Sequence, residues 1–192
     1  MQGRLNSDQA LKKLVDGNKR YISSKSMHPN QTQKRRIELK NGQNPFAVIL
    51  GCSDSRVPPE VIFDQGLGDL FVVRVAGNIT GGNVLASIEY AVAHLNTPLV
   101  VVLGHSDCGA IKSCASNAHF EGNLRDLISK LEPALEKARK MPGNLINNAA
   151  KINAKMVAEI LSSSVSSGLV GTEALKVVAA YYDLDSGNVE FL

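Results

Sequence analysis

The stretch Leu99-Val100-Val101-Val102-Leu103-Gly104-His105-Ser106-Asp107-Cys108-Gly109 sets five apolar residues directly before a histidine, an aspartate and a cysteine. An unbroken apolar run rich in β-branched residues reads as a strand buried on both faces; a strand with one wet face would alternate. Phe46 to Leu50 and Leu70 to Val75 have the same character. Between the second and third runs, Val84, Ile88, Ala91 and Leu95 recur at helical spacing and predict a helix over about 83–95. Strand, loop, strand, helix, strand is an α/β order, and it predicts a mainly parallel sheet with helices packed on its faces.

Outward from this centre the pattern becomes helical. Ser7 is placed to cap a helix reaching about Tyr21, with Leu11, Leu14 and Val15 on one stripe. Residues 23–45 are polar, and the basic run Lys34-Arg35-Arg36 within them reads as a solvated face. A stripe of Leu124, Leu127, Ile128, Leu131, Leu135 and Ala138 predicts a helix over about 123–139, which Pro133 is expected to kink or restart. After the break Met141-Pro142-Gly143-Asn144, a longer helix is expected from Ala149 to Ser167, with Gly168 as its cap. Leu175 to Leu184 reads as a fourth strand, and Val189 to Leu192 as a segment pairing back after a turn. No repeat or second domain is evident, so residues 1–192 are expected to form one domain with a helical arm over about 1–44.

Composition narrows the function. A 44% apolar and 20% charged chain is globular, and a net charge of +3 is too small to suggest nucleic acid as a partner. No apolar run approaches the roughly 18–20 residues of a membrane span, and Met1 to Leu11 lacks a signal-like apolar core. A cytoplasmic protein without membrane attachment is the expectation. Three cysteines, Cys52, Cys108 and Cys114, do not make a disulfide framework.

The chemistry sits where two strands end. The first runs into Gly51-Cys52-Ser53-Asp54-Ser55-Arg56, and the third into Gly104-His105-Ser106-Asp107-Cys108. Residues just past strand C-termini line the crevice of an open parallel sheet, so adjacent strands would bring Cys52, His105 and Cys108 together. Two thiolates and one imidazole are a three-ligand zinc set of the catalytic kind. Cys114 lies farther down an expected helix and reads as a buried small hydrophobe. Asp54 and Arg56 alternate along an extended turn, so an Arg fork can hold the carboxylate in a fixed direction. The same pair also reads as a salt bridge that only pins the loop.

These residues resemble the β-class carbonic anhydrases. The likeness rests on Cys52-Ser53-Asp54-Ser55-Arg56-Val57-Pro58 and Gly104-His105-Ser106-Asp107-Cys108-Gly109-Ala110. Phe71-Val72-Val73-Arg74, Ala76-Gly77-Asn78 and Ile88-Glu89-Tyr90-Ala91-Val92 support it. The resemblance implies one zinc ion on Cys52, His105 and Cys108, an Asp54–Arg56 catalytic dyad, and a hydroxide on zinc that attacks carbon dioxide to give bicarbonate. It further implies that Gln43 binds substrate, that Phe71 and Tyr90 wall an apolar cleft, and that His94 stands where some relatives carry a histidine proposed as a proton shuttle. It implies a homodimer or larger homo-oligomer, with the site at the subunit interface and the N-terminal helix extending onto the partner. One subgroup binds bicarbonate in an inhibitory pocket using a tryptophan three residues before the first zinc cysteine. That position is Ile49 here and the chain has no Trp, although Arg74 matches another member of that pocket.

Two other functions share the same residues. One is carbon disulfide or carbonyl sulfide hydrolysis on this scaffold. The other is a non-catalytic zinc protein in which Asp54 closes the site. The charge count separates the hydratase from three-histidine zinc enzymes. Two thiolates offset the charge of zinc, so its water is expected to ionise above the value of about 7 typical of three histidines. Carbon dioxide hydration is therefore expected to rise with pH in stopped-flow measurements between about pH 6.5 and 9; a flat profile would contradict the charge argument.

Overall fold

The computed structural model describes residues 4–116, 120–168 and 175–192, without the side chains of 165–168. In chain order its elements are α1 (Ser7–Ile22), α2 (Gln33–Glu38), β1 (Ala47–Gly51), α3 (Pro59–Ile62), β2 (Leu70–Arg74), α4 (Gly82–Ala93), β3 (Leu99–His105), α5 (Gly109–Ala115), α6 (Asn123–Ala138), α7 (Leu145–Gly168), β4 (Lys176–Tyr182) and β5 (Val189–Phe191). The sheet order is β2-β1-β3-β4-β5. The first four strands run parallel, and β5 returns antiparallel to β4. This is the mixed, mainly parallel sheet that the three apolar runs predict.

Burial follows the period of two. Ala47, Ile49, Leu99, Val101 and Leu103 face one core with Ala10 and Leu14 of α1, Ile111 of α5, and Leu131 and Leu135 of α6. Val48, Leu50, Val100 and Val102 face the other with Val84, Ile88 and Val92 of α4, and Val157 and Leu161 of α7. Both faces of β1 and β3 are covered, which is why neither strand alternates in sequence.

Several boundaries differ from the sequence reading. Asn6, not Ser7, caps α1: its side chain accepts from Gln9 N at 2.9 Å while Gln9 Oε1 accepts from Asn6 N at 3.0 Å. Only Asn6 has a glutamine three residues on to complete this reciprocal cap. The polar stretch contains α2 and a 3-10 turn, Leu39–Asn41. Pro133 lies inside an unbroken α6, on its exposed side, where water can satisfy the carbonyl that loses its N–H partner. α7 begins four residues earlier than expected, at Leu145, with Asn147 N bonding Asn144 Oδ1 at 3.0 Å.

α1 packs on its own chain. Asn18, 4% exposed, donates to Ile62 O at 3.2 Å and to Gly187 O at 2.9 Å, and accepts from Val189 N at 2.9 Å. One residue earlier, Gly17 meets the end of α3 so closely that an added Cβ would lie 1.8 Å from Phe63 O. Alanine normally stabilises a helix over glycine by about 1 kcal/mol. Here Gly17→Ala is expected to destabilise by about 1–3 kcal/mol, because backbone must move to admit the methyl group. Urea unfolding midpoints check the sign.

Candidate metal centre

β1 and β3 are neighbours, paired from Val48↔Val100 to Gly51↔Leu103, so the loops after them leave the sheet side by side. β2 lies on the other side of β1, so the strand order changes direction here, the place where parallel sheets open a crevice. Cys52, His105 and Cys108 meet there with their ligand atoms all within 4.8 Å of one another. All three residues are buried, and no disulfide involves any of the three cysteines.

His105 is oriented for ligation. Its Nδ1 lies 2.8 Å from Ser106 O, so the N–H belongs there and Nε2 is left with its lone pair. Nε2 is buried and has no hydrogen-bond partner within the protein. The thiols are electrostatically linked. A hydrogen bond from Cys108 draws the Cys52 thiol down against burial, helped by backbone N–H groups such as that of Gly77. Cys108 is pushed up, because it donates to Cys52 and is buried beside that charge. One lone pair, one thiolate and one thiol that a cation would deprotonate form a donor set that fits zinc.

Main chain supports the sulfur. Gly77 N donates to Cys52 Sγ at 3.3 Å, and Asn153 Nδ2 of α7 donates to Gly77 O at 2.9 Å. Gly77 has φ 67°, and a Cβ there would lie 3.2 Å from Leu131, so a larger residue would be strained and would have to displace that side chain. Neither bond is visible in the sequence, where Gly77 appears only as a matching letter and Asn153 not at all.

Asp54 faces the cluster with Oδ2 3.9 Å from His105 Nε2. Arg56 grips both of its oxygens: Nε to Oδ1 at 2.9 Å and Nη2 to Oδ2 at 2.7 Å. The Arg56 backbone N–H adds a bond to Oδ1 at 3.0 Å. The guanidinium holds the Asp54 carboxyl far below the usual carboxylate range. Arg56 also reaches the second loop, with Nη2 3.3 Å from Asp107 O, while Asp107 pairs with Lys112. The dyad therefore ties the two metal-donor loops to each other.

Gln43, Phe71 and Tyr90 are not brought to this cluster within the chain. Gln43 precedes β1 at the opposite end of the sheet, exposed beside an 810 Å³ pocket that also touches Lys13, Arg35 and Phe46. Phe71 sits opposite Val48, four residues before Cys52 and so about 13 Å away along the strand. Tyr90 is 48% exposed on α4, its ring 6.3 Å from Phe71 and 5.3 Å from His94. Exposed His94 is the residue that ends α4. Cys114 is buried, as expected, but is not inert packing alone: its thiol donates to Glu132 at 3.1 Å, and burial raises it to about 12.

Residues 47–189 match the family model described as "Carbonic anhydrase". Over 190 residues the chain is 42% identical to a carbonic anhydrase of Mycolicibacterium smegmatis, covering 94% of this chain and 91% of that one. Carbonic anhydrase 2 of Mycobacterium tuberculosis is 40% identical over 185 residues, covering 93% and 89%. Among solved structures, one of two tetrameric β-carbonic anhydrases of Sordaria macrospora superposes with a TM-score of 0.75 at 26% identity, covering 95% and 96%. A β-carbonic anhydrase of Aspergillus fumigatus gives 0.75 at 28% identity, covering 95% and 90%.

Arg56→Ala is expected to raise the Asp54 carboxyl toward the ordinary value of about 3.9, read by NMR titration of its side-chain carbon. A depressed carboxyl contributes stability above its unfolded value and loses it as pH falls through the folded one. The variant should accordingly lose less stability than the parent on acidification below about pH 4.

Proposed function

The chain belongs to the β-carbonic anhydrase family, zinc enzymes that interconvert carbon dioxide and bicarbonate, and we propose that Cys52, His105 and Cys108 hold one zinc ion per chain. The observation that carries this assignment is the buried, unpartnered His105 Nε2 beside two linked thiols. When bound, zinc supplies a Lewis acid that makes water nucleophilic near neutral pH.

The chain's own residues direct the addition. Asp54 is held ionised by Arg56, so it accepts a hydrogen bond from the water that adds to carbon dioxide and does not keep the proton. It orients; it is too weak a base to store a proton at neutral pH. Both Asp54 oxygens engage Arg56, the arrangement this role requires; in the non-catalytic alternative the carboxylate leaves the arginine and closes the site. The proton goes to solvent or buffer; exposed His94 stacks on Tyr90, away from its own cluster, so it would act as acceptor only together with Tyr90 in the site of a second copy.

Gln43, Phe71 and Tyr90 act in the site of a second copy. Their separation from their own Cys52 and the exposure of Gln43 and Tyr90 support a homodimer as the working unit, within which each subunit completes the other's cleft. The exposed side of α1 is the surface that would lie on the partner. Three free cysteines favour a reducing, cytoplasmic setting, and no helix among the described residues is long and apolar enough to cross a membrane.

Stopped-flow hydration on zinc-quantified protein tests the reading. One zinc per chain with carbon dioxide turnover is expected. Zinc with turnover of carbon disulfide alone would reassign the substrate. Asp54→Asn should keep its zinc and lose about 100-fold or more in kcat. A variant with full kcat would overturn the role given to Asp54.

A further inference from the structure

Arg74 ends β2, opposite Gly51, where the backbone ladder between β1 and β2 is running out. Val75 N still reaches Gly51 O at 3.2 Å, and Ser53 N reaches Val75 O at 3.2 Å. Beyond that point a side chain takes over. Arg74 Nε donates to Cys52 O at 2.8 Å, and Arg74 Nη2 donates to Asp54 O at 2.5 Å. These are the main-chain carbonyls of the two residues whose side chains the reaction uses.

The same edge of a guanidinium, Nε with Nη2, is used by Arg56 on the Asp54 carboxylate. Residue 54 is thus held at both ends, its side chain by one arginine and its backbone by another. Arg56 is half-exposed and bound to the group it orients, so it can move with that group. Arg74 is part-buried and anchored in the sheet, so it fixes the loop against a rigid frame. A planar fork bonding two carbonyls sets direction as well as distance, which a lysine ammonium cannot do.

We propose that Arg74 is a positioning residue for the hydration reaction, its guanidinium edge clamping the main chain of residues 52–54 so that Cys52 and Asp54 converge on one point. This rests on the catalytic reading above. Arg74 touches neither substrate nor metal in it. It acts by keeping the thiolate and the carboxylate in register with His105, which ends β3, and Cys108, which precedes α5. Supporting groups of this kind usually carry about 10–100-fold in metal affinity or activity.

Two readouts test it: kcat and KM for carbon dioxide hydration, and the rate at which zinc is lost to a colorimetric chelator. Arg74→Ala is expected to lower kcat about 10–100-fold with KM changed less than about threefold, and to release zinc about tenfold faster. Millimolar guanidinium ion should restore part of both. Asn18→Ala, remote from the site, serves as the control of lowered stability; it should lower the melting temperature and leave kcat and zinc release alone. If Arg74→Ala behaves like this control, or keeps kcat and zinc release within about twofold of the parent, the proposal is overturned. If Arg74→Ala does not fold, Arg74→Lys decides: loss in both readouts supports the clamp, and parental values in both overturn it. Should the parent itself not hydrate carbon dioxide, the catalytic reading fails, and zinc release alone still tests the clamp.

Discussion

Two sulfurs and a ring nitrogen lie within 4.8 Å of one another beneath the protein surface. Negative charge in such a place must be met by donors or by a cation. The neighbourhood is built to that requirement. Gly77 offers an N–H to one sulfur, His105 turns its protonated nitrogen away toward Ser106, and Arg56 faces the nearby carboxylate. Cys108 keeps its proton until something more positive takes that proton's place. A doubly charged, sulfur-tolerant ion such as zinc answers all of these terms together.

The sheet makes the cluster possible. Donors from residues 52, 105 and 108 could not meet unless β1 and β3 were adjacent and parallel, with both chains leaving at the same end. Helices then hold the loops from behind. α6 sets Leu131 against Gly77, and α7 sends Asn153 to the Gly77 carbonyl. α7 also sends Asn147 to Asp107 N, beside the second cysteine, at 3.1 Å. Elements far apart in sequence thus converge on a few main-chain atoms.

Much of this was legible in the residues, because burial on both faces leaves a plain mark. Val48 to Leu50 and Val100 to Val102 could hardly be anything but inner strands, and the cluster followed from what stood at their ends. Helix limits were less readable. Asn6 outcompetes Ser7 as a cap through a partner three residues away, and Pro133 is tolerated because of the side of α6 on which it falls. The roles of Arg74, Gly77 and Asn153 were hidden for a different reason. Their bonds join side chain or amide to a distant backbone atom or thiolate, and no periodicity records such a pairing. Gln43, Phe71 and Tyr90 matched a family pattern in the sequence, yet their own chain does not carry them to its cluster, because the working unit proposed here spans two subunits.

The bond set of Asn18 bears on the order in which the chain can mature. That side chain joins α1 to Gly187 and Val189, some 170 positions later. During synthesis α1 emerges long before the β4–β5 turn, and until that turn appears Asn18 has only the Ile62 carbonyl among its native partners. The donor loops, all complete by residue 108, emerge long before that seal can form. The nascent protein therefore passes through a stage in which all three donor residues have been made while the bonds that tie α1 to the β4–β5 turn have not yet formed.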